Sequence, residues 1–413
     1  MLILKIFIVS QHFYPDSFRI NDIAVALAKR GHEVTVLTSL PDYATGTVPA
    51  DCKGLKNRQF MYHGVRVVRC FSVSRRSGVL FRMLNYVSFC VSSTLKALCM
   101  KEKFDLSFSY QTSPVLMANA ARAIANRQGI PFFLYCLDLW PESLKAWHVG
   151  EGSPLFRLMH RYSKKMYARA DLLAVSSRPF LDYMTEVNGI LPEKMVYLPQ
   201  HSQDMKLDAR PARGADRPVI FAFGGNIGSV QNVECILRAV ARLCDLDGFS
   251  VSIYGDGSEL EHCRALADSL KLGDRVRFFG RVDRETLWNA YHAVDAFLLT
   301  LKSEGMIGQT VPAKLQEYMS GGRPIFAAID GAAADVIREA DCGVAVPSDD
   351  DRALAEAMRR FILEPNTLEH AGENGRRYFE AHYTEKIFLD ELENHFAQLT
   401  VHKTGGKDES SAN

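Results

Sequence analysis

The sequence predicts an α/β protein built from two doubly wound, Rossmann-like domains in tandem. Three observations carry this expectation. The 413 residues exceed what one hydrophobic core usually organises. Short β-rich runs alternate with helical patterns in two successive stretches, and a polar, Pro-containing break separates them. With 47% hydrophobic and 23% charged residues the composition is that of an ordinary globular chain, which argues against a repeat array or a disordered polymer.

In the first stretch, residues 1–200, a strand at Leu4 to Ser10 is followed by a helix from about Asn21 to Arg30 and a strand at Val34 to Thr38. Gly31 falls just past the helix end, as a parallel crossover requires. Further strands are expected at Val65 to Cys70, Asp105 to Tyr110, Phe132 to Leu137, Leu172 to Ser176 and Met195 to Leu198. The apolar start lacks a basic leader and a small-residue cleavage site, so it reads as a buried strand rather than a signal peptide.

Between His201 and Pro218 the pattern breaks into what reads as an interdomain linker. The alternation restarts over 217–382, with strands at Val219 to Phe223, Ser250 to Tyr254, Val276 to Phe279, Ala296 to Thr300, Pro324 to Ala328 and Gly343 to Val346. A helix starts near Val233, and another near Arg352 follows the acidic run Asp349-Asp350-Asp351. A last helix over 383–399 has the spacing to pack back on the first domain, and 402–413 has nothing apolar to bury and reads as a disordered tail. Doubly wound sheets bind ligands at the carboxyl ends of their strands, so the expected site is a cleft between the domains.

Nine cysteines without a C-x-x-C pair suit buried free thiols rather than disulfides or zinc. No Asp-x-Asp ends a strand, so no metal is expected. The net charge of +1 conceals an asymmetry: residues 1–200 hold 25 Lys+Arg against 14 Asp+Glu (+11), and the remainder 24 against 34 (−10). The first half is therefore suited to an anionic partner.

The candidate ligand site lies in the second half. Gly224, Gly225, Asn226 and Gly228 follow a strand and precede a helix, where small residues let backbone approach a diphosphate. Gln309, Thr310 and Pro312 lead into a short helix ending at Gly321-Gly322, with Lys314 and Glu317 on one face. A lysine at a helix start suits phosphate, and a carboxylate one turn on suits ribose hydroxyls.

Tyr254-Gly255-Asp256-Gly257-Ser258-Glu259-Leu260, Val276 to Arg281, Ala293 to Leu299 and Lys314 to Pro324 occur in the order and spacing of the C-terminal domain of retaining glycosyltransferases of family 4, with the GT-B fold of two facing Rossmann-like domains. Arg30 to Thr38 matches that family's first helix-to-strand turn, so the resemblance spans nearly the whole chain. Phe18-Arg19-Ile20-Asn21-Asp22, Asp138-Leu139-Trp140-Pro141-Glu142-Ser143 and Gly308 to Lys314 resemble a WbuB-like subgroup of O-antigen and capsule sugar transferases, including N-acetylfucosaminyl transferases.

The resemblance implies a metal-independent transfer, with retention, from a UDP-linked nucleotide sugar to a lipid-linked (polyprenyl diphosphate) saccharide. No cofactor beyond the donor is implied. Glu317 matches the second Glu of the family's E-x7-E motif, a ribose ligand, whereas the first position is Gln309. The family's Arg and Lys after the first strand of this domain are Asn226 and Gln231, which shifts the phosphate role to Lys314 and the loop amides. The N-terminal Gly-Gly pair is replaced by Asp16-Ser17-Phe18-Arg19, so Arg19 is expected to supply charge. Asp138 and Glu142 are the remaining catalytic candidates, and His12 and His201 stand where they could face the cleft.

Two segments suit an anionic inner-membrane surface. Val79 to Met100 carries an apolar stripe preceded by Arg75, Arg76 and Arg82, and is too polar to span a bilayer. The other, Pro154 to Arg169, sets Arg157, Arg161, Lys164 and Lys165 along one side. The expected location is therefore cytoplasmic, peripheral on the inner face of a bacterial inner membrane. The rival functions are a sugar-nucleotide 2-epimerase of the same architecture, lacking here an evident acid–base cluster, and a nicotinamide dehydrogenase, lacking its glycine fingerprint. Nucleic-acid binding is not expected, because the basic residues are not interleaved with aromatics on a known module.

Overall fold

The computed structural model describes residues 2–43, 46–54, 56–75, 78–147, 149–208, 217–303 and 309–408. The chain forms two compact units, Met1–Leu198 with Leu389–Asn413, and Pro199–Phe388.

The first unit is an eight-stranded sheet of β1 (Lys5–Val9), β2 (Glu33–Thr38), β3 (Gln59–Tyr62), β4 (Val65–Arg69), β5 (Leu106–Gln111), β6 (Phe132–Cys136), β7 (Leu172–Val175) and β8 (Met195–Tyr197) in the order β3-β4-β2-β1-β5-β6-β7-β8. Helices α1 (Arg19–Lys29), α2 (Val79–Cys99), α3 (Ala118–Gln128), α4 (Pro154–Tyr167) and α5 (Pro179–Glu186) fill the crossovers. Strands β1 and β6 are continuous apolar-rich runs because a parallel sheet is covered on both faces, and β5, LSFSYQ, is buried at every position although it alternates with serine and glutamine. The strand order reverses between β1 and β5, which brings the residues just past Val9 and Ser109 to one height.

Strand β3, which the sequence does not predict, pairs antiparallel with β4 through a turn at His63 and Gly64, both with positive φ. It is only four residues long, at the sheet edge and without fully buried positions, so its sequence carries no burial pattern.

The second unit is a six-stranded, wholly parallel sheet. Its strands are β9 (Val219–Gly224), β10 (Phe249–Tyr254), β11 (Val276–Gly280), β12 (Ala296–Thr300), β13 (Ile325–Ala328) and β14 (Gly343–Val346), in the order β11-β10-β9-β12-β13-β14. The helices are α6 (Val233–Ala241), α7 (Leu260–Ser269), α8 (Arg284–Tyr291), α9 (Ala313–Ser320), α10 (Gly331–Glu339), α11 (Asp351–Leu363) and α12 (Ala371–His382). One face buries Phe221, Phe223, Ile236, Val240 and Phe361; the other buries Ala222, Phe297, Leu315, Tyr318 and Phe379. Asp350 caps α11 by accepting from the Ala353 amide at 2.8 Å, so the acidic run starts a helix as expected.

Residues 199–208 are not a free linker. Gln316 donates to the Gln200 carbonyl (2.8 Å), the Met205 amide donates to Ser320 Oγ (3.2 Å), and Arg323 donates to the Asp208 carbonyl (3.0 Å). Those bonds make the segment part of the second unit; the rest of the expected linker, 209–216, lies outside the described residues.

The last helix, α13 (Glu385–Asp408), joins the first unit from Leu389 onward. Phe396 packs edge-on against Phe108 and Phe133, with ring centroids 5.5 and 5.3 Å apart. Arg30 bridges to Asp390 and Glu393, both at 2.7 Å, and His32 Nε2 meets Glu393 at 2.9 Å. The helix runs seven residues into the segment expected to be disordered, because each added residue gains a backbone hydrogen bond without needing burial; 409–413 lie outside the described residues.

Candidate functional site

Strand β9 ends at Gly224, and at Gly224 and Gly225 the turn after it is crowded. A Cβ on Gly224 would lie 1.9 Å from the Tyr291 hydroxyl. At Gly225, with φ +129°, it would lie 2.2 Å from Lys314 Cε. The loop after β10 interlocks with this one: the Gly225 amide donates to the Tyr254 carbonyl (2.8 Å), and that of Ile227 to the Asp256 carbonyl (2.9 Å). Gly255, with φ +136°, would place a Cβ 1.7 Å from the Gly225 carbonyl oxygen. Gly255 is therefore required by close approach of two backbones as well as by conformation, whereas at Gly224 and Gly225 a Cβ would meet side chains, those of Tyr291 and Lys314.

The interlock corrects one expectation. The amides of Gly225 and Ile227 are taken by the neighbouring loop, and that of Gly228 donates to Gln231 Oε1 at 3.2 Å. Asn226 donates to the same oxygen at 2.8 Å. Asn226 and Gln231 thus bind each other and stiffen the loop, leaving these three amides unavailable to a diphosphate.

A cation placed to meet an anion beside the loop is Lys314, in the first turn of α9. Its ammonium lies 4.0 Å over the Phe223 ring and has no hydrogen-bond partner among the described residues. Burial pushes its pKa down to about 8, against a smaller opposing pull from Glu317. A solvent-shielded cation packed on a glycine loop is costly by itself and gains from an arriving anion.

Glu317 lies one turn further along α9, and its Oε1 accepts from Trp288 Nε1 at 2.9 Å. Next to it Tyr318 accepts from the Gly224 amide at 2.9 Å and stacks on Phe297 with centroids 4.2 Å apart, which ties α9 to the end of β9. Ahead of α9, Gln309 and Thr310 are half-buried and each engaged with neighbours; Gly308 of that motif lies outside the described residues.

Beside the loop opens a cavity of about 340 Å³, lined by Gly225, Asn226, Tyr254, Asp256, Arg281 and Leu287 among others. Trp288, Tyr254, Asp256, Arg281 and Leu287 are not among the site residues the sequence predicts. Tyr254, Asp256 and Arg281 enter there only through the resemblance, and nothing local distinguishes Trp288 from a packing residue.

In the first unit Asp138 follows β6. Its carboxylate accepts from Ser113 Oγ at 3.0 Å, and Ser113 in turn accepts from Trp140 Nε1 at 2.9 Å. Burial raises its pKa against those bonds. Glu142 is buried with both oxygens occupied, by Tyr183 Oη (2.9 Å) and Lys145 Nζ (2.7 Å), the arrangement of a structural clamp rather than a reactive carboxylate. Arg19 opens α1 and acts electrostatically on Tyr135. His201, in the second unit, is buried against Phe388.

The stripe on α2 is exposed in full: Leu80, Leu84, Val87, Val91, Leu95 and Leu98 are 42–69% accessible. Arg82 is half-buried beside it. Arg75 lies half-buried over the Tyr43 ring at 4.6 Å, its amide donating to Asp42 at 2.7 Å; Arg76 lies outside the described residues. On α4, Phe156, Met159 and Met166 face inward, so Arg157, Arg161, Lys164 and Lys165 are exposed. Among the described residues no helix is long and apolar enough to cross a membrane.

Two family models match the chain: a glycosyl transferase 4-like domain over residues 17–201, and glycosyl transferases group 1 over 206–378. The probable glycosyltransferase WbjE of Pseudomonas aeruginosa is 30% identical over 303 residues, 68% of this chain and 72% of that protein. WcaI of Escherichia coli (strain K12), a glycosyl transferase named for colanic acid biosynthesis, is 23% identical over 89% of this chain and 93% of its own. The solved structure of Anabaena Alr3699/HepE in complex with UDP superposes with a TM-score of 0.69 at 15% identity, covering 95% of this chain and 100% of that one. That likeness bears on the fold alone, and the fold is the two-domain GT-B arrangement.

Proposed function

Because the chain belongs to the group 1, family 4-like glycosyltransferases, we propose that it transfers a sugar from a UDP-linked donor to a lipid-linked saccharide in bacterial surface-polysaccharide synthesis, with retention of anomeric configuration. The donor sugar we favour is an N-acetylated 6-deoxyhexosamine such as N-acetylfucosamine. WbjE and WcaI are named as glycosyltransferases, and nothing in the comparisons favours the epimerase reading.

One observation carries the donor assignment: the partnerless, buried ammonium of Lys314 beside the glycine loop. In this reading the β-phosphate replaces its missing partner, and the charge that develops on the departing diphosphate is met there without a metal ion. Glu317, oriented by Trp288, accepts from the ribose hydroxyls. The cavity beside the loop takes the nucleoside. The acceptor hydroxyl attacks the anomeric carbon on the face the leaving group vacates; the new C–O bond forms as the C1–O–phosphate bond breaks, and the hydroxyl proton passes to a phosphate oxygen. We assign Asp138, in the first unit, to orient the acceptor hydroxyl or the donor sugar, and drop Glu142 from the catalytic set.

The exposed stripe on α2 and the basic face of α4 support seating the first unit on an anionic membrane surface, where a polyprenyl-linked acceptor resides. Thermal unfolding with a panel of nucleoside diphosphates tests the donor reading. UDP at a hundred times its Kd should stabilise by about 2.7 kcal/mol, and no stabilisation by any nucleotide removes the assignment.

A further inference from the structure

Polar atoms buried without a partner are few in folded proteins, and each costs about 1–3 kcal/mol when left unsatisfied. In the first unit several gather where the strand order reverses. Gln11 Oε1 and both ring nitrogens of His12 follow β1, Gln111 Oε1 ends β5, and Asp42 Oδ1 follows β2. The first three residues and Asp42 are at most 4% exposed. Parallel pairing of Val9 with Ser109 brings Gln11 and Gln111 to the same height on neighbouring strands.

The surrounding bonds fix what these atoms can do. Asn85 donates its amide to the Val73 carbonyl (2.6 Å) and to Asp42 (3.1 Å), so its oxygen must accept, and Gln11 must turn its NH₂ to it (2.6 Å). Gln111 spends its NH₂ on the carbonyls of Thr112 (2.9 Å) and Asp138 (2.8 Å). Both glutamines therefore present an unmet acceptor oxygen. His12 is different, for among the described residues no hydrogen bond holds its ring. It is sandwiched between Phe18 (centroids 5.1 Å apart, 18° between planes) and Tyr43 (4.7 Å), and burial together with nearby Arg75 pushes its pKa down to about 3, so it is neutral. A phenylalanine would fill that sandwich and leave nothing unsatisfied; the imidazole is therefore not explained by stability.

We propose that His12 is a positioning residue for the acceptor: its neutral imidazole, with the unmet oxygens of Gln11 and Gln111, hydrogen-bonds sugar hydroxyls at the β1/β5 switch point. The unmet atoms are mostly acceptors, so they call for hydroxyl donors and disfavour phosphate, which would place the saccharide of a lipid-linked acceptor here and its diphosphate elsewhere. Tyr43, 48% exposed, packs against the imidazole with centroids 4.7 Å apart, and the proposal requires a neighbouring side chain such as this one to move aside for the sugar. The inference rests on the transferase reading of the first unit as the acceptor half.

The test uses the full chain labelled with ¹⁵N-histidine and saturated with UDP, titrated with free N-acetyl-D-glucosamine, D-galactose and L-fucose. The imidazole signals missing from His12→Phe should shift saturably with at least one sugar, and not with inorganic phosphate. His12→Phe should melt at the same temperature or a few degrees higher, and His12→Gln, which keeps a neutral donor and acceptor, should recover sugar binding that His12→Phe loses. No shift with any of the three sugars, a shift with phosphate alone, or a lower melting temperature for His12→Phe would each overturn the proposal, the last by showing that an ordered water already satisfies the ring. Failure of UDP to stabilise the unmodified protein is a separate result, and sinks the donor reading instead.

Discussion

Replacing Lys314 by methionine keeps an unbranched side chain of similar length over Phe223 and Gly225 while removing the ammonium. A fall in pKa from 10.5 to about 8 corresponds to roughly 3 kcal/mol between the charged and neutral forms, at about 1.36 kcal/mol per pH unit. Without ligand, Lys314→Met should therefore be the more stable protein at pH 7, by about 1–3 kcal/mol and about 2–4 °C in Tm for each kcal/mol. Between pH 8 and 10.5 the unfolded chain holds the lysine proton and the folded one has released it, so the unmodified protein gains stability with rising pH through that window. Below pH 8 both states are charged and the penalty is constant; the variant lacks the slope, and its advantage shrinks as pH rises. UDP binding should run the opposite way. Losing a charge-assisted hydrogen bond worth about 1.5–3 kcal/mol weakens it by about 10- to 150-fold. In the unmodified protein the Kd should be flat below about pH 7 and rise toward tenfold per unit above about pH 8, as the free lysine deprotonates. Calorimetric titration with UDP from pH 6 to 9.5, with melting curves of both proteins, measures all three quantities. A variant that melts lower and binds UDP as before would refute the reasoning, because Lys314 would then be a satisfied structural lysine.

Other perturbations follow from the same geometry. Glu317→Gln keeps an acceptor for Trp288 but weakens the ribose contacts, so transfer should fall at least about tenfold with the Tm within about 2 °C, read by donor turnover and melting. Gly255→Ala drives a Cβ into the Gly225 carbonyl at 1.7 Å in a positive-φ backbone, and should cost about 3 kcal/mol or more in denaturant unfolding and abolish UDP binding. Asp138→Asn removes a carboxylate whose charge is disfavoured by burial; transfer should drop at least about tenfold while UDP affinity stays unchanged, as turnover and titration would show. Val91→Glu in the middle of the exposed stripe should leave melting within about 1 °C and reduce co-sedimentation with anionic vesicles severalfold.

The strands were readable because parallel sheets demand local apolar runs: Ala296–Thr300 and Gly343–Val346 fall where their sequences place them, and most others agree within a residue or two. Helix starts were readable for the same reason, since Asp350 caps the turn that immediately follows it. Edge strand β3 was not, because half-exposed residues at a sheet edge need no periodicity.

The sequence by itself determined the two alternating α/β stretches and the family, together with the adjacency of Lys314 and Glu317 on one helix, because each is a matter of short-range periodicity and spacing. Only the tertiary structure decided what those residues meet. Lys314 lies against Gly225, 89 positions earlier in the chain, without a partner; Asn226 and Gln231 close on each other; Glu142 is clamped by Tyr183 and Lys145; and His12 sits unbonded between two rings. Whether a buried polar atom is satisfied depends on groups brought from distant strands and helices, and no pattern within a single segment encodes that.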